Sequence, residues 1–235
     1  MKLDVIISAD HIKPSALENK IAVIIDVLRA TTVITNALNN GCKRVIPMLS
    51  SEESLERAAS LGEHCLLGGE RQAIRIPGFD LSNSPLEYTK EVVANKTLIM
   101  TTTNGTRAIK GSEEAERILI ASINNAGAVA ELLASLNRDV VFVNAGTYGE
   151  LSLEDFICAG YIISLMEAKA SVALTDIAFM AKNIYENNPD IISYVKHAAH
   201  YERLKSLGLE GDLECCMKKN ILSVVPEYVQ GEIII

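Results

Sequence analysis

Up to about residue 170 the chain alternates between short apolar runs and segments in which apolar residues recur every three or four positions. Uncharged runs such as residues 21–25 and 97–101 are rich in β-branched residues, which is typical of strands buried on both faces. The segments between them have the period of amphipathic helices. This alternation predicts an α/β protein with three layers (α/β/α), in which helices cover both faces of a mostly parallel, mixed central sheet.

Turn and cap residues set the predicted boundaries of these elements. Asn39-Asn40-Gly41 ends the first long helix, and Ser50 with Glu53 forms a capping box before a helix that ends at Leu61-Gly62. Predicted strands cover residues 3–7 (as an edge strand), 21–25, 43–48, 65–69, 97–101, 116–121 and 139–144. Further helices are predicted for residues 84–93, 125–135 and 152 to about 169.

From about residue 172 the pattern becomes more helical. Residues 172–187 and 190–207 are predicted to be two helices, and the apolar runs 221–225 and 232–235 are predicted to be strands at the sheet edge. The last run also indicates pairing with another strand or a second subunit, as in a homodimer. Because no linker or repeat interrupts the chain, we treat residues 1–235 as one domain with a more helical C-terminal part.

Charge and composition exclude several classes of protein. The net charge of −8 argues against a nucleic-acid partner, which requires a basic face. No apolar run approaches the length of a membrane span, and the apolar N-terminal run is too short for a signal peptide, so we expect a cytoplasmic protein without membrane contact. Five cysteines without a C-x-x-C pair indicate reduced thiols and no zinc site.

The turn after residues 21–25 has the residue types of a binding site. It contains Asp26, Arg29, Thr31 and Thr32 and leads directly into a helix. Ligands of open α/β sheets bind at the carboxyl ends of strands, where Asp26 lies, and Thr31 or Thr32 can cap the helix. The free amide groups of a helix start can hold an anion. The alternative is an ordinary strand–helix unit with a charged turn.

Three other strand ends carry similar polar residues. Because strand ends of a parallel sheet lie at one edge, we expect all four turns to converge. Carboxylates suit Mg²⁺, and arginines match phosphate, carboxylate or sulfonate oxygens, so the combination predicts metal-assisted chemistry on a small polyanion. The other turns supply Glu70, Arg71, Thr102, Thr103, Asn104, Gly105, Thr106, Arg107, Glu154 and Asp155.

Several of these residues have a structural alternative. Asn104-Gly105 is either the start of a helix that forms an anion nest or a hairpin turn. Glu154 and Asp155 are either site residues or first-turn acids favoured by the helix dipole. Asp212, in a loop or short helix, either reaches the site or only caps a helix. The long segment 70–84, which contains Asn83 and Ser84, is of a length that is often functional.

Four motifs, in order along the chain, resemble the 2-phosphosulfolactate phosphatase (ComB) family. They are Ile25-Asp-Val-Leu-Arg-Ala-Thr-Thr32, Gly69-Glu-Arg71 followed by Pro77-Gly-Phe-Asp-Leu-Ser-Asn-Ser-Pro85, Thr101-Thr-Thr-Asn-Gly-Thr-Arg-Ala108, and Gly149 through Ser152-Leu-Glu-Asp155 to Cys158-Ala-Gly160. The resemblance extends from about residue 3 to Pro226. Ser82 and Gln72-Ala73 depart from the family pattern, in which a glycine and a small, glycine-containing pair are usual.

The resemblance implies a Mg²⁺-dependent phosphatase that converts (2R)-2-phospho-3-sulfolactate to 3-sulfolactate and phosphate, within coenzyme M biosynthesis or sulfolactate formation. We predict that Asp26, with one or more of Glu70, Glu154 and Asp155, binds Mg²⁺. Asp26 could instead be a nucleophile that forms a phosphoenzyme. Two alternatives are a phosphatase for another small anionic phosphate ester and a non-catalytic binder of anionic metabolites.

The remaining predicted roles concern the substrate. Arg29, Arg71 and Arg107 are predicted to bind its anionic groups and to stabilise charge during phosphoryl transfer, together with the turn from Thr102 to Thr106. Asn83 and Ser84 are predicted to position the substrate.

Overall fold

A computed structural model describes residues 1–61 and 65–235 of the chain. In this part of the chain eleven strands form one sheet. They are β1 (Lys2–Ile6), β2 (Ile21–Ile25), β3 (Arg44–Met48), β4 (Cys65–Arg71), β5 (Ile74–Arg75), β6 (Thr97–Thr101), β7 (Arg117–Ala121), β8 (Val140–Asn144), β9 (Ala173–Leu174), β10 (Glu227–Val229) and β11 (Glu232–Ile234).

Helices connect most of these strands. They are α1 (Ala30–Asn39), α2 (Ser51–Leu61), α3 (Lys90–Val93), α4 (Gly105–Gly111), α5 (Ala126–Leu136), α6 (Leu153–Glu167), α7 (Asp176–Asn187), α8 (Ile191–Val195), α9 (Ala199–Ser206) and α10 (Glu210–Cys216). The capping residues predicted for α2 are confirmed, since the Glu53 N–H donates to Ser50 Oγ at 3.1 Å. The predicted end of this helix at Gly62 lies outside the described residues.

Two blocks of parallel strands make up the sheet. Strands β4, β6 and β3 form one block, and β7, β2, β8, β1 and β9 form the other. The antiparallel hairpin β10–β11 lies between them, with β10 beside β7 and β11 beside β3. With helices packed on its faces, this mixed, mostly parallel sheet confirms the predicted α/β/α architecture.

The position of the C-terminal hairpin corrects the prediction that the terminal apolar run is an edge strand. Ile233 pairs with Tyr228 and Val45 in the interior of the sheet and is fully buried. The run therefore pairs within its own chain and gives no support for pairing with a second subunit. Likewise β1 is not an edge strand, because the short strand β9 pairs with Lys2 and Leu3 on its outer side.

The two parallel blocks run in opposite directions. Three successive antiparallel pairings, β7 with β10, β10 with β11 and β11 with β3, separate them. Helices α1 and α4 pack across the junction, because α1 contacts β7 and β3 while α4 contacts β2 and β3. A single buried cluster joins these helices to strands of both blocks. The opposite face of the larger block is covered by α5 and α6, with α7 packed against α6.

Four other predicted elements differ from the structure. The helix predicted for residues 172–187 begins only at Asp176, because Thr175 caps it and the preceding residues form β9. The helix predicted for 190–207 is divided into α8 and α9, and the helix predicted for 84–93 is divided into a 3-10 turn (Pro85–Glu87) and α3. Residues 221–225 form no strand. Segment 70–84 begins with the hairpin β4–β5.

Candidate active site

Asp26 lies at the point where β2 passes into α1. Its side chain is only 8% exposed, and Oδ1 accepts the Ala30 N–H at 3.2 Å. The carboxylate therefore caps α1, a position that the positive end of a helix dipole favours. The prediction that Thr31 or Thr32 caps this helix is wrong, because α1 begins at Ala30 and both threonines lie inside it.

The start of α4 meets the same carboxylate from the other parallel block. A Cβ atom on Gly105 would lie 2.7 Å from Asp26 Oδ2 and 2.5 Å from the Ala30 Cβ, so only glycine fits this position. The prediction that Asn104-Gly105 begins a helix is confirmed, and a hairpin turn is excluded. Because the two blocks are antiparallel, the ends of β2 and β6 meet through this packing of α1 against α4 and not through a common parallel edge.

Three further buried carboxylates surround Asp26. Glu154 and Asp155 are each 2% exposed in the first turn of α6, and Glu70 is 6% exposed near the end of β4. Asp155 accepts the Val27 N–H at 2.8 Å and the Gly146 N–H at 3.1 Å. Glu70 accepts the N–H groups of Ala73 and Thr103, both at 2.7 Å. Asp155 and Glu70 therefore fix the loops around the site.

The environment of these acids favours their protonated forms. Burial raises the pKa of Asp26 to about 7, and the nearby charge of Glu70 adds to the effect. Burial also raises the pKa of Glu154 to about 7, with a contribution from Asp26. The pKa of Asp155 is raised well above its usual value by burial and by the charges of Asp26 and Glu154. The charge of Arg29 lowers the pKa of Asp26, but burial outweighs this effect. Gathering several buried carboxylates is costly, which is typical of functional sites.

Whether these acids fit a divalent cation depends on their free oxygen atoms. Glu154 Oε2 is buried and has no hydrogen-bond partner. No group of three or more His, Cys, Asp or Glu within residues 1–61 and 65–235 is arranged so that it could hold a metal ion by itself. Mg²⁺ is commonly held by only one or two carboxylates, with water and substrate phosphate as further ligands. Asp26 and Glu154 fit that pattern, because Asp26 accepts the Ala30 N–H at Oδ1 and Glu154 Oε2 has no partner. In Glu70 and in Asp155, by contrast, both carboxylate oxygens already accept backbone N–H groups.

A cavity of about 300 Å³ opens between these elements. Of the predicted site residues, those that line it are Asp26, Arg29, Glu70, Asn83, Thr103, Asn104, Glu154 and Asp155. Asn83 Oδ1 and Thr103 Oγ1 are buried without a hydrogen-bond partner, as is Glu154 Oε2. Because buried polar atoms are normally paired, three such atoms around one cavity indicate a polar ligand.

Arg29 is the buried arginine of the cavity. It is 2% exposed, and its guanidinium donates to Asp212 Oδ2 at 2.6 Å and to the Ala73 carbonyl at 2.9 Å. Asp212 also accepts the Ser84 hydroxyl at 2.5 Å. Asp212 thus reaches the site, one of its two predicted alternatives, and it holds Arg29 in place. Ser84 is bound to Asp212 and does not line the cavity.

The other two predicted arginines point elsewhere. The Arg71 guanidinium donates to the carbonyls of Leu49 and Glu70, each at 3.0 Å, and the residue is exposed. Arg107 forms an ion pair with Asp10, and its side chain is 48% exposed. Neither residue lines the cavity in this structure. The four-turn pattern places these residues near the site, but the direction of each side chain separates them from it.

Most of the predicted threonines stabilise the turns. The Thr31 hydroxyl donates to the Asp26 carbonyl and accepts the Asp26 N–H, and the Thr32 hydroxyl donates to the Val27 carbonyl. Thr102 and Thr106 are joined in the same way at the start of α4. None of these four residues lines the cavity. These four residues hold the backbone of the two turns that contain Asp26 and Thr103.

Two polar cavity residues come from α9 and were not predicted. His200 and Arg203 line the cavity together with Ala199. Burial lowers the pKa of His200, and the charge of Arg29 lowers it further, so the ring is neutral at pH 7. Both residues lie in a helical segment without a neighbouring motif, and His200 resembles an ordinary surface histidine in the sequence. The sequence gives one indication, which is that His200 and Arg203 are three residues apart and therefore lie on the same face of a helix.

The fold and the cavity define an enzyme site for a small anionic molecule, with buried carboxylates facing a fixed arginine. The family model described as 2-phosphosulpholactate phosphatase matches residues 6–231. A protein of Clostridium acetobutylicum named probable 2-phosphosulfolactate phosphatase is 58% identical over 235 residues, which is 100% of both chains. Proteins of the same name from Clostridium kluyveri (54% identity, 98% of this chain and 96% of the relative) and Clostridium perfringens (55%, 99% and 96%) are also similar.

The chain therefore belongs to the 2-phosphosulfolactate phosphatase family, as its motifs predicted, and is a phosphatase. No helix among the described residues is both long enough and apolar enough to cross a bilayer.

Proposed function

We propose that the protein hydrolyses (2R)-2-phospho-3-sulfolactate to 3-sulfolactate and phosphate and that it requires Mg²⁺. The names of the relatives support the substrate. The observation that carries the metal requirement is the buried carboxylate of Glu154, a residue that lines the cavity with Asp26 and has one oxygen atom without a hydrogen-bond partner. Two buried acids that share a cavity are stabilised by a cation, and Arg29, which forms an ion pair with Asp212, does not offset the rise in their pKa values.

Asp26 and Glu154 would hold the ion directly, and Asp155 and Glu70 would keep the surrounding loops in place through their backbone hydrogen bonds. A bound Mg²⁺ withdraws charge from the phosphoryl oxygens and lowers the pKa of a coordinated water molecule. Because both ligands are neutralised by protonation, Mg²⁺ has to compete with protons below about pH 7.

The other cavity residues bind and orient the ester. The guanidinium of Arg29 is fixed by Asp212, so it presents its charge to an anionic group without first losing side-chain freedom. Asn83 and Thr103 line the cavity, and each has a buried polar atom without a partner, so both are suited to hydrogen bonds with the ester. The carboxylates and the phosphate would repel each other, which restricts the phosphate to a position beside the cation.

Two routes transfer the phosphoryl group. In one, a water oxygen forms the bond to phosphorus, the bond from phosphorus to the C2 oxygen breaks, and the released proton ends on that oxygen. In the other, an oxygen of Asp26 forms the bond to phosphorus while the bond from phosphorus to the C2 oxygen breaks, and the C2 oxygen takes up a proton. A water oxygen then forms the bond to phosphorus of the acyl phosphate, the bond to the Asp26 oxygen breaks, and phosphate and a proton are released. Rapid quenching with ³²P-labelled substrate distinguishes the routes, because only the second leaves label on the protein, at Asp26.

The function is tested by measuring phosphate release from 2-phospho-3-sulfolactate after chelation and again after addition of Mg²⁺. We expect activity only with the ion, and loss of nearly all turnover in Asp26→Asn and Glu154→Gln with an unchanged circular dichroism spectrum. Glu131→Gln, an acid whose side chain is 70% exposed, is the matched control and should remain active. Turnover without a divalent cation would exclude the metal requirement, and absence of turnover under all conditions would exclude the substrate.

A further inference from the structure

The cavity contains two arginines that differ in how much positive charge they can offer a ligand. Arg29 is buried and forms an ion pair with Asp212, so its charge is largely balanced within the protein. Arg203 lies on α9, is exposed and lines the same cavity. It forms no ion pair with any carboxylate of the described residues. Among the described residues it donates one hydrogen bond, to the Gln72 carbonyl, and this bond is 3.5 Å long, at the limit for such an interaction.

The hairpin β4–β5 directs backbone oxygen atoms toward both arginines. Gln72 and Ala73 have φ angles of +56° and +69°, and their carbonyls accept hydrogen bonds from Arg203 and Arg29 respectively. Two successive residues with positive φ form the turn of a tight hairpin, a conformation that glycine normally provides. Both guanidinium groups are thus placed along one side of the cavity, near Glu70.

Of the two arginines, Arg203 is consequently the one whose charge is not balanced by an ion pair, whereas Arg29 offers a ligand fixed hydrogen-bond donors and a charge that Asp212 partly balances. His200, one helical turn before Arg203, adds little positive charge, because desolvation and the charge of Arg29 lower its pKa. The acids Asp26, Glu154 and Asp155 lie deeper, since each is at most 8% exposed. Arg29, which is 2% exposed, lies at the same depth, so the floor of the cavity carries these acids and the paired Arg29, and the rim carries Arg203. A ligand with two kinds of anionic group would place the phosphate at the floor, beside a cation, and the other group at the rim.

We propose that Arg203 determines substrate specificity by binding the terminal sulfonate of the ester. This inference rests on the proposed function and identifies the residue that distinguishes the sulfonated ester from simpler phosphate esters. A sulfonate remains charged at all physiological pH values and presents three oxygens, of which a guanidinium can bind two at once. An exposed arginine at the rim can contact this group on the terminal carbon while the phosphate stays at the floor.

The test compares three esters that differ in one acidic group each. They are 2-phospho-3-sulfolactate, O-phospholactate, which lacks the sulfonate, and 2-phosphooxyethanesulfonate, which lacks the carboxylate. The kcat/KM of each is measured for the wild type, Arg203→Met and Arg203→Lys. Lys205→Met is the matched control, because Lys205 is a cation on the same helix with a 55% exposed side chain and does not line the cavity.

We expect Arg203→Met to lower kcat/KM for both sulfonated esters by about 10- to 100-fold, mainly by raising KM. The decrease for O-phospholactate should be smaller by a factor of at least about ten. Arg203→Lys should retain only part of the wild-type kcat/KM, because an ammonium group lacks the planar pair of N–H donors with which a guanidinium binds two sulfonate oxygens at once. Lys205→Met should behave as the wild type does. Equal losses for all three esters, or losses confined to the two carboxylated esters, would overturn the assignment.

A binding measurement separates this inference from the proposed function. Calorimetry with 3-sulfolactate and with lactate, in the presence of Mg²⁺ and phosphate, requires no turnover. We expect the wild type to bind 3-sulfolactate more tightly than lactate and Arg203→Met to lose at least about tenfold of that preference. If no ester is hydrolysed but this preference is found, only the proposed function fails. If hydrolysis occurs and the preference is the same in both proteins, the role of Arg203 is refuted.

Discussion

The buried ion pair between Arg29 and Asp212 is the clearest place to test how the site is held together. Both side chains are 2% exposed, and the N–O distance is 2.6 Å. Asp212→Asn keeps the size of the side chain but removes its charge, which leaves the guanidinium of Arg29 buried without a countercharge. The hydrogen bond from the Ser84 hydroxyl can be retained, because asparagine still has one oxygen atom.

The expected cost follows from the burial of the pair. Removing one partner of a buried ion pair costs about 3–5 kcal/mol, because the remaining charge is not solvated. At about 2–4 °C per kcal/mol for a chain of this size, the expected decrease in Tm is about 6–20 °C. The pair between Arg138 and Glu116 is the comparison, since its side chains are 49% and 41% exposed. Glu116→Gln should cost no more than about 1 kcal/mol.

The assay is thermal or urea unfolding of the three proteins, followed by circular dichroism, together with their kcat/KM. The double variant Arg29→Met/Asp212→Leu adds a further test, because an apolar pair of similar volume removes both charges. It should regain much of the stability lost in Asp212→Asn while remaining inactive, since Arg29 lines the cavity. Equal decreases in Tm for Asp212→Asn and Glu116→Gln, or a double variant less stable than Asp212→Asn, would refute the argument.

Three further predictions follow from other contacts in the structure. Gly105→Ala should abolish most activity, because the added methyl group would lie 2.7 Å from Asp26 Oδ2; phosphate release and circular dichroism measure the effect. Gly160→Ala should destabilise the protein by about 1–3 kcal/mol in urea unfolding, because its Cβ would lie 2.0 Å from the Ala181 carbonyl oxygen where α6 packs on α7. In the presence of a chelator, the free energy of unfolding should fall as pH rises from about 4 to 7. In the folded state Asp26 and Glu154 keep their protons up to about pH 7, whereas in the unfolded state both acids lose their protons near pH 4.

Each of these predictions has a result that contradicts it. Full activity of Gly105→Ala would show that Asp26 does not depend on the close approach of α4. A Gly160→Ala protein as stable as the wild type would show that α7 can shift without cost. For the pH dependence, the difference between the wild type and Asp26→Asn isolates one acid. A difference that does not change between pH 4 and 7 would show that the pKa of Asp26 is not raised.

The parts of the fold that depend on short-range pattern were predictable from the sequence. Residues 21–25 form β2 with the predicted bounds, because a run of five apolar residues ending in an acid fits a strand buried on both faces. The place of β10–β11 in the sheet was not predictable in this way. Hydrophobic pattern indicates that a strand is buried, but its neighbours are set by pairing over long distances in the chain. The same limit applies to the opposite directions of the two blocks.

In the candidate site, too, the features that depend on local sequence were predictable and those that depend on tertiary contacts were not. Asp26, Glu70 and Glu154 were predicted to line the cavity, which they do, because each lies close to the end of a strand or in the first turn of a helix and such positions can be read from the sequence. Arg107 lies in an equally suggestive turn, yet its guanidinium pairs with Asp10 outside the cavity. Side-chain direction depends on tertiary neighbours that no local motif specifies. Arg203 reaches the cavity from α9, where neither turn chemistry nor a motif distinguishes it from other charged residues.

The central position of the hairpin β10–β11 has a consequence for the order in which the protein can fold. Every other strand precedes this hairpin in the chain, yet it supplies the only connection between the two parallel blocks among the described strand pairings. A nascent chain that ends before Glu227 has two unpaired sheet edges, at β7 and β3, which could pair with other chains. Closure of the sheet is thus a late event, and α1 and α4, with the Asp26 carboxylate between them, gain their full support only when it occurs.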